Sequence, residues 1–563
     1  MFQRFIIYLA LIFILTGIAL SVSFIRGYSF AAVPVQIMEV APRGVILVVP
    51  LDSRPPCTDY LVSLARMAGY QIILPPPELM DEYQKPANVV HMRKWLRQNV
   101  AMADAAIISV DMLIHGGLLA SRKGTGSNGA ASEVLNLLDT VHKNHPQVRL
   151  FAFSIIPRLL IPENPHTEKF RQPMIEWSML QETTTLFDNP RDFEKLQRLE
   201  AEVPFEIINR YRALYAANHQ LNRNLVKLAQ NGVLSGLVLG QDDSAIFGLG
   251  NLERQRLENE ISRLPQMRKK IFVTRGTDEV ALTLLGPATD MANETKYKVF
   301  VHYTETHTAT AILPYMPRPL MQTVAEKLAI SGAEPTSSIF EADFILVVHA
   351  GNSQSREAQL KTNADQIKSW MEQGRNVAVV DLATDWIEKQ TLLPYLQRNE
   401  TPLYQLLAYA GWNTASNSIG TVITQSIMSL SGRNTSEASV ALSRDLARVE
   451  FISDRILDDW YYQKIFRHQL NESLEKQKID PYNLKDAQKN VAKQINHHLF
   501  NAHLQYIRRS WQKAVIPLYA PGHGSYALYN GTLKTGLPWD RTFEIYVDSK
   551  IYPAKILSGN STK

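Results

Sequence analysis

A single cysteine, Cys57, stands in 563 residues. One thiol excludes an internal disulfide and any thiolate metal cluster. Cys57 follows Pro55-Pro56 with no Cys–His pairing near it, so it reads as a small packed residue rather than a nucleophile. Strong charge of one sign is also missing. Lys and Arg number 59 against 54 Asp and Glu, a formal net charge of +5. Without a long basic run, this balance argues against nucleic acid as a partner. The chain has no low-complexity tract and no convincing internal repeat. It lacks a G-x-S-x-G elbow, an H-E-x-x-H pair and a G-K-[ST] phosphate loop. Gly124-Thr125-Gly126-Ser127-Asn128-Gly129 therefore reads as a flexible surface loop.

Long apolar runs are absent with one exception. From Phe5 to Ile25 the chain is uncharged and rich in Ile, Leu and Phe, which reaches the ~20 residues needed to cross a hydrocarbon core. Ser29-Phe30-Ala31 offers a small-x-small cleavage site. Arg4 and Arg26 flank the run and give only a slight orientation preference. The expectation is a signal peptide or N-terminal membrane anchor over 1–32. The body is then extracytoplasmic, either membrane-anchored by this one helix or secreted after cleavage near Ala31.

With 45% hydrophobic and 20% charged residues, that body can bury large cores. Its length calls for more than one of them. Short β-branched runs recur at Val45–Val49, Gln71–Leu74, Ala105–Val110, Arg149–Ile155, Leu234–Leu239, Lys270–Val273, Lys298–His302, Asp343–Val348 and Asn376–Val380. Such runs, alternating with amphipathic helices, predict parallel strands covered on both faces. The expected fold is α/β. A parallel-sheet domain, barrel-like or doubly wound, spans 40–290, with helices inserted over 190–232. A second, smaller α/β unit spans 297–430. A helical region with a short closing strand at Phe543–Val547 spans 431–563.

In parallel sheets, ligand-binding groups gather in loops beyond the carboxyl ends of strands, and the polar motifs fall there. The first strand runs into Pro50-Leu51-Asp52-Ser53-Arg54-Pro55-Pro56. An Asp and an Arg after a core strand are costly to bury unless they pair or bind something. The third leads to Asp111, then His115-Gly116-Gly117 and Ser121-Arg122, where the glycine pair permits close approach of backbone to a ligand. Next comes Gly240-Gln241-Asp242-Asp243-Ser244. Adjacent carboxylates repel, so one pKa rises unless a cation neutralises them. A general acid beside an ionised partner needs this arrangement, as does a hard metal site. Arg275-Gly276-Thr277-Asp278-Glu279 repeats the carboxylate pair, with a helix N-terminus over Val280 to Leu285 as the plain alternative. The second unit adds His349, Asp381 and Gly411-Trp412-Asn413-Thr414. There Trp412 can stack on a sugar face while amides bond hydroxyls, or the segment can simply cap a helix. Trp539-Asp540-Arg541 has the same two readings.

The motifs Pro50-Leu51-Asp52-Ser53-Arg54-Pro55, Asp111…Gly116-Gly117-Leu118…Ser121-Arg122, Gly240 to Ser244, Arg275 to Glu279 and Gly411 to Thr414 resemble the bacterial family called domain of unknown function 4127. The resemblance covers nearly everything after the N-terminal segment. It implies a bacterial source and carries over no catalytic residues.

The chemistry therefore rests on the residues. The leading expectation is a carbohydrate-active hydrolase, a glycosidase-type enzyme acting on cell-envelope or extracellular glycan. Asp242 and Asp243 supply the acid and a second carboxylate, with Asp278 or Glu279 as alternative partners. Asp52, Ser53, Arg54, Asp111, Gly116, Gly117, Arg122, Gln241, Arg275, Trp412 and Asn413 are the candidate substrate contacts. No cofactor is expected. A divalent metal remains an alternative, with Asp52, Asp111, Asp242, Asp243 and His349 around Mg²⁺, Mn²⁺ or Zn²⁺ in a phosphoester or amide hydrolase. A non-catalytic glycan-binding or envelope-assembly protein is the third reading. The partners are a glycan or other small-molecule substrate and, through the N-terminal segment, a membrane.

Overall fold

The computed structural model describes residues 32–34, 40–124, 126, 129–159, 168–289, 296–383, 388–411, 414–510, 515–517 and 525–556. The expected signal or anchor thus lies almost wholly outside the described residues. Among those described, no helix is long and apolar enough to cross a membrane. Strand β1 (Ala32–Pro34) is the first element, and it belongs to the last sheet formed.

The six runs predicted for the first unit become six parallel strands. These are β2 (Val45–Val49), β3 (Gln71–Ile73), β4 (Ala105–Ser109), β5 (Arg149–Ile156), β6 (Gly236–Gln241) and β7 (Ile271–Arg275). They lie in the order β3-β2-β4-β5-β6-β7. The sheet is open, with β3 and β7 at its edges, so the doubly wound alternative holds and the barrel does not. Residues of β4 and β6 are buried on both faces, which is why their sequences are apolar without alternation. The chain adds β3 on one side of β2 and β4 on the other. The direction of winding therefore reverses between β2 and β4, where open α/β sheets place their ligands.

A second parallel sheet follows the same plan. It contains β8 (Lys298–Tyr303), β9 (Glu334–Pro335), β10 (Phe344–Gly351), β11 (Val377–Ala383) and β12 (Ala408–Ala410), in the order β12-β11-β10-β8-β9. Three helices join the sheets: α1 (Asp59–Ala68), α2 (Leu320–Ser331) and α3 (Ala415–Gly432). One core runs from Ile46 and Val48 on β2 through Ile419 and Val422 on α3 to Leu346 and Val348 on β10. Small residues let α3 lie deep between its neighbours. A Cβ at Gly420 would come 2.5 Å from Glu279 Cγ, and one at Gly432 would strike the Met67 carbonyl.

The C-terminal region is helical as expected through α4 (Ala438–Arg455) and beyond, but it contains more strand than its sequence indicates. Strands β13 (Val515–Pro517), β14 (Ser525–Gly536) and β15 (Tyr546–Ile556) form an antiparallel sheet closed by β1 pairing with β15. The closing strand begins at Tyr546 rather than Phe543 and runs on to Ile556. Between α4 and the next helix, Ile456–Phe466 is π-helical. This widened turn is rare at such length and is often found at functional sites.

Candidate active site

Beyond β2, the chain turns with Asp52 Oδ1 accepting from the Arg54 amide at 3.1 Å. The Arg54 guanidinium then spans two carboxylates. Its Nη2 donates to Asp52 Oδ2 at 2.6 Å and to Asp278 Oδ1 at 2.7 Å, and its Nη1 donates to Asp278 Oδ2 at 3.2 Å. All three groups are buried. Burial opposes the charge on Arg54, but Asp278 and Asp52 outweigh it and raise its pKa well above the ordinary value. One cation serves two acids, so burial still raises Asp278 despite Arg54 pulling the other way. Ser53 completes the turn. Its amide donates to Asp81 Oδ1 at 2.8 Å, and its Oγ accepts from the Trp539 indole N–H at 2.8 Å.

The Asp242-Asp243 pair after β6 divides as adjacent carboxylates must. Arg122 grips Asp242 with two parallel bonds, Nε to Oδ2 at 2.6 Å and Nη2 to Oδ1 at 2.8 Å. Burial raises the Asp242 pKa, but the Arg122 guanidinium prevails and holds it below the usual carboxylate range. Asp243 takes the opposite state. Burial and then the Asp242 charge push its pKa up to about 7, although Arg158 Nη1 stands 3.3 Å from Oδ2. Its side chain is 31% exposed, whereas Asp242 is 1% exposed. The result is a protonatable carboxyl on a cleft wall beside one that Arg122 favours in its ionised form.

The cleft has a volume of ≈ 400 Å³. Arg54, Arg122, Arg158, Asp243 and Asp278 bring to it the ends of β2, β4, β5, β6 and β7. The opposite wall comes from the C-terminal region, where the sequence pointed only to Trp539-Asp540-Arg541. The π-helical segment contributes Asp458 and Gln463, followed by Arg467. Gln463 Nε2 donates to Asp458 Oδ1 at 3.3 Å, a pairing across the i, i+5 spacing of this turn. The loop before β15 adds Trp539, Arg541, Phe543 and Glu544. Trp539-Asp540-Arg541 is thus the aromatic motif that reaches the cleft, with Arg54 5.0 Å and Arg541 4.7 Å from the ring centroid. Glu544 Oε2 accepts from Arg541 Nε at 2.7 Å. Asn417 of α3 lines the same cleft; its Oδ1 is buried without a hydrogen-bond partner among the described residues.

Other candidates are committed elsewhere. Glu279 is fully buried, 2.5 Å from Lys327 Nζ, and accepts from Ser416 Oγ at 2.6 Å. Arg275 pairs with Glu326, and burial lowers its pKa to about 9. Gln241 donates to Ser244 Oγ and Asn251 Oδ1, bracing its own loop. Asp111, in the short helix that follows β4, accepts from the Ile155 amide of β5 at 2.8 Å and does not line the cleft. Gly116 and Gly117 have φ of +85° and +129°. What approaches them closely is the chain itself: a Cβ at Gly116 would come 2.6 Å from the Ala87 carbonyl, and one at Gly117 3.3 Å from Asp81. Asp381 accepts from the amides of Leu392 and Leu393 and caps a short helix. Trp412 and Asn413 lie outside the described residues. Their neighbour Gly411 is held by Asp459, which accepts from its amide at 2.8 Å, and by Lys464, which donates to its carbonyl at 3.0 Å.

Of the proposed metal donors, His349 is buried in the second sheet between Thr304 Oγ1 and the Gln390 carbonyl. Among the described residues, one acidic group is compact enough to share an ion: Asp52, Cys57 and Asp278, with ligand atoms within 4.8 Å of one another. Arg54 already bridges its two carboxylates, so a divalent cation there has to displace a guanidinium. Burial first, then the Asp52 and Asp278 charges, raise the Cys57 thiol well above its ordinary pKa. That disfavours the thiolate a metal requires.

No curated protein matches the chain in sequence. The family model described as "Protein of unknown function (DUF4127)" matches residues 46–548, from the first strand of the large parallel sheet into strand β15 of the C-terminal antiparallel sheet, and the chain belongs to that family.

Proposed function

We propose that the protein is an extracytoplasmic hydrolase of cell-envelope or extracellular glycan, with Asp243 as its general acid. The observation that carries this reading is the split between Asp242 and Asp243. Arg122 fixes the first as an anion, and the second is left protonatable near neutrality on the wall of a cleft. A general acid works best with a pKa near the working pH. Phe543 gives the cleft an aromatic border, and Asn417 Oδ1, which has no hydrogen-bond partner among the described residues, offers an acceptor to a hydroxyl. In the proposed reaction the Asp243 proton passes to the departing glycosidic oxygen as its bond to the anomeric carbon breaks. A water oxygen bonds that carbon, and its proton passes to the ion-paired Glu544 across the cleft. Asp242 and Arg122 act as positioning residues.

The test is hydrolysis of peptidoglycan fragments and chromogenic glycosides by wild type and Asp243→Asn. Wild type is expected to turn over at least one of them, with Asp243→Asn slower by ~10²–10⁴-fold. Turnover undiminished in the variant removes Asp243 from the mechanism. Binding of a glycan without turnover favours a glycan-binding protein instead.

A further inference from the structure

We infer that the cleft selects glycans bearing an anionic group, a carboxylate or a phosphate, and that Arg467 is the residue that receives it. This rests on the glycan-binding part of the preceding reading but not on its hydrolytic step.

The charges on the cleft walls are nearly all paired. Each acid lining the cleft already meets a cation of the protein: Asp278 shares Arg54 with Asp52, Asp243 has Arg158, Glu544 has Arg541, and Asp458 shares Arg455 with Asp459. Arg122 is occupied by Asp242. Arg467 is the exception: among the described residues it forms no ion pair. Its contacts are the Phe543 carbonyl at 3.5 Å from Nη1 and the Phe543 ring, whose centroid lies 5.1 Å from Cζ. A solvated surface arginine needs no partner, but Arg467 is half-buried in a concave wall. There a planar guanidinium stacked on an aromatic ring leaves its donor edge for a two-oxygen anion.

A second observation points the same way. Asp243 is the counter-charge of Arg158 at 3.3 Å, and burial with the Asp242 charge raises its pKa to about 7, so at pH 6 it carries a proton. In that state Arg158 is uncompensated as well, and two guanidinium groups then line the cleft. A neutral sugar leaves both unpaired, whereas an acidic sugar supplies the missing charge.

The test is equilibrium binding of monosaccharide pairs to the full chain at pH 6 by calorimetry. N-acetylmuramic acid is compared with N-acetylglucosamine, and glucose 6-phosphate with glucose. At least one acidic member is expected to bind about tenfold tighter than its neutral parent, because a charge-assisted bidentate pair forms. Whichever pair shows the preference identifies carboxylate or phosphate as the group read. Arg467→Gln should bring that ratio close to one and Arg467→Lys should restore part of it, while the thermal midpoint stays near that of wild type. Equal binding of both members in wild type, or a preference kept in Arg467→Gln, overturns the inference. Should Arg467→Gln not fold, inorganic phosphate must still weaken binding of the preferred acidic sugar to wild type, and indifference to phosphate is equally fatal. No arm reads turnover. An acid preference without hydrolysis leaves this inference standing while the hydrolytic reading falls. Hydrolysis without acid preference does the reverse.

Discussion

Arg54 and Asp278 are 224 positions apart in sequence, and their side chains meet at 2.7 Å. The contact ties the loop after β2 to the loop after β7, four strands away in the sheet. Arg54 also neutralises Asp52, so its removal leaves two acids buried with no cation between them. Arg54→Met is expected to cost ~3–5 kcal/mol of stability, the scale for breaking a buried pair by removing one partner. Arg54→Lys should recover only a part, since an ammonium cannot reproduce the two-sided fork. Urea unfolding of the three proteins measures this. A loss in Arg54→Met below ~1 kcal/mol would mean that the bridge does not hold the cleft.

The two adjacent aspartates are expected to separate stability from activity. Asp242→Asn breaks a buried two-bond pair with Arg122 and should lose ~3–5 kcal/mol. Asp243 is partly exposed, its pair with Arg158 is long, and its pKa is already raised. Asp243→Asn should therefore change stability by less than ~1 kcal/mol while abolishing most hydrolysis. Thermal unfolding run beside the activity assay checks both halves. Equal destabilisation by the two substitutions would contradict the division of roles.

These contrasts mark how far the sequence could be read. The strand runs are apolar because both sheet faces are covered, so strands such as Ala105–Ser109 were legible from composition alone. The convergence of Asp52, Arg54, Arg122, Asp243 and Asp278 followed from the rule that strand ends gather ligands. The partners of these residues were not legible. Glu279 reads as well as Asp278 in sequence, and only the burial of Lys327 beside it shows where its charge is spent. The opposite wall was hidden for another reason. Asp458, Gln463 and Arg467 sit in a charged helical stretch whose π-helical turn carries no sequence pattern. The hairpin that presents Trp539 and Glu544 pairs antiparallel, outside the βαβ rhythm used to find the other strands.

Asp111 gives a pH signature. Burial pushes its carboxyl up to about 7, against the lowering effect of the Ile155 amide. The unfolded value is about 3.9, so the folded chain binds the additional proton between these limits. The stability that Asp111 contributes is therefore present below pH ~4 and declines as pH rises towards 7. Asp111→Asn stays neutral and still offers an oxygen to the Ile155 amide. The variant should gain on wild type as pH moves from 4.5 to 8, at up to about 1.4 kcal/mol per pH unit across that window. Chemical denaturation at the two pH values checks the sign, and a gap that is unchanged or narrows refutes it.

Lys327 and Glu279 allow the sharpest separation of a structural acid from a catalytic one. Both are fully buried, and Lys327 Nζ also donates to the Arg275 carbonyl at 2.6 Å. Burial lowers the Lys327 pKa, with Glu279 as the opposing influence, so each charge depends on the other. Lys327→Met alone strands an anion in the core and should cost ~3–5 kcal/mol. The double variant Lys327→Met with Glu279→Gln removes both charges and is expected to recover most of that loss, a coupling that a double-mutant cycle measures directly. It is also expected to keep glycan hydrolysis within about threefold of wild type, a difference of under 1 kcal/mol in barrier height, because Glu279 does not line the cleft. A double variant that is stable but inactive would return Glu279 to the reaction and place the second carboxylate on the β7 loop rather than at Glu544.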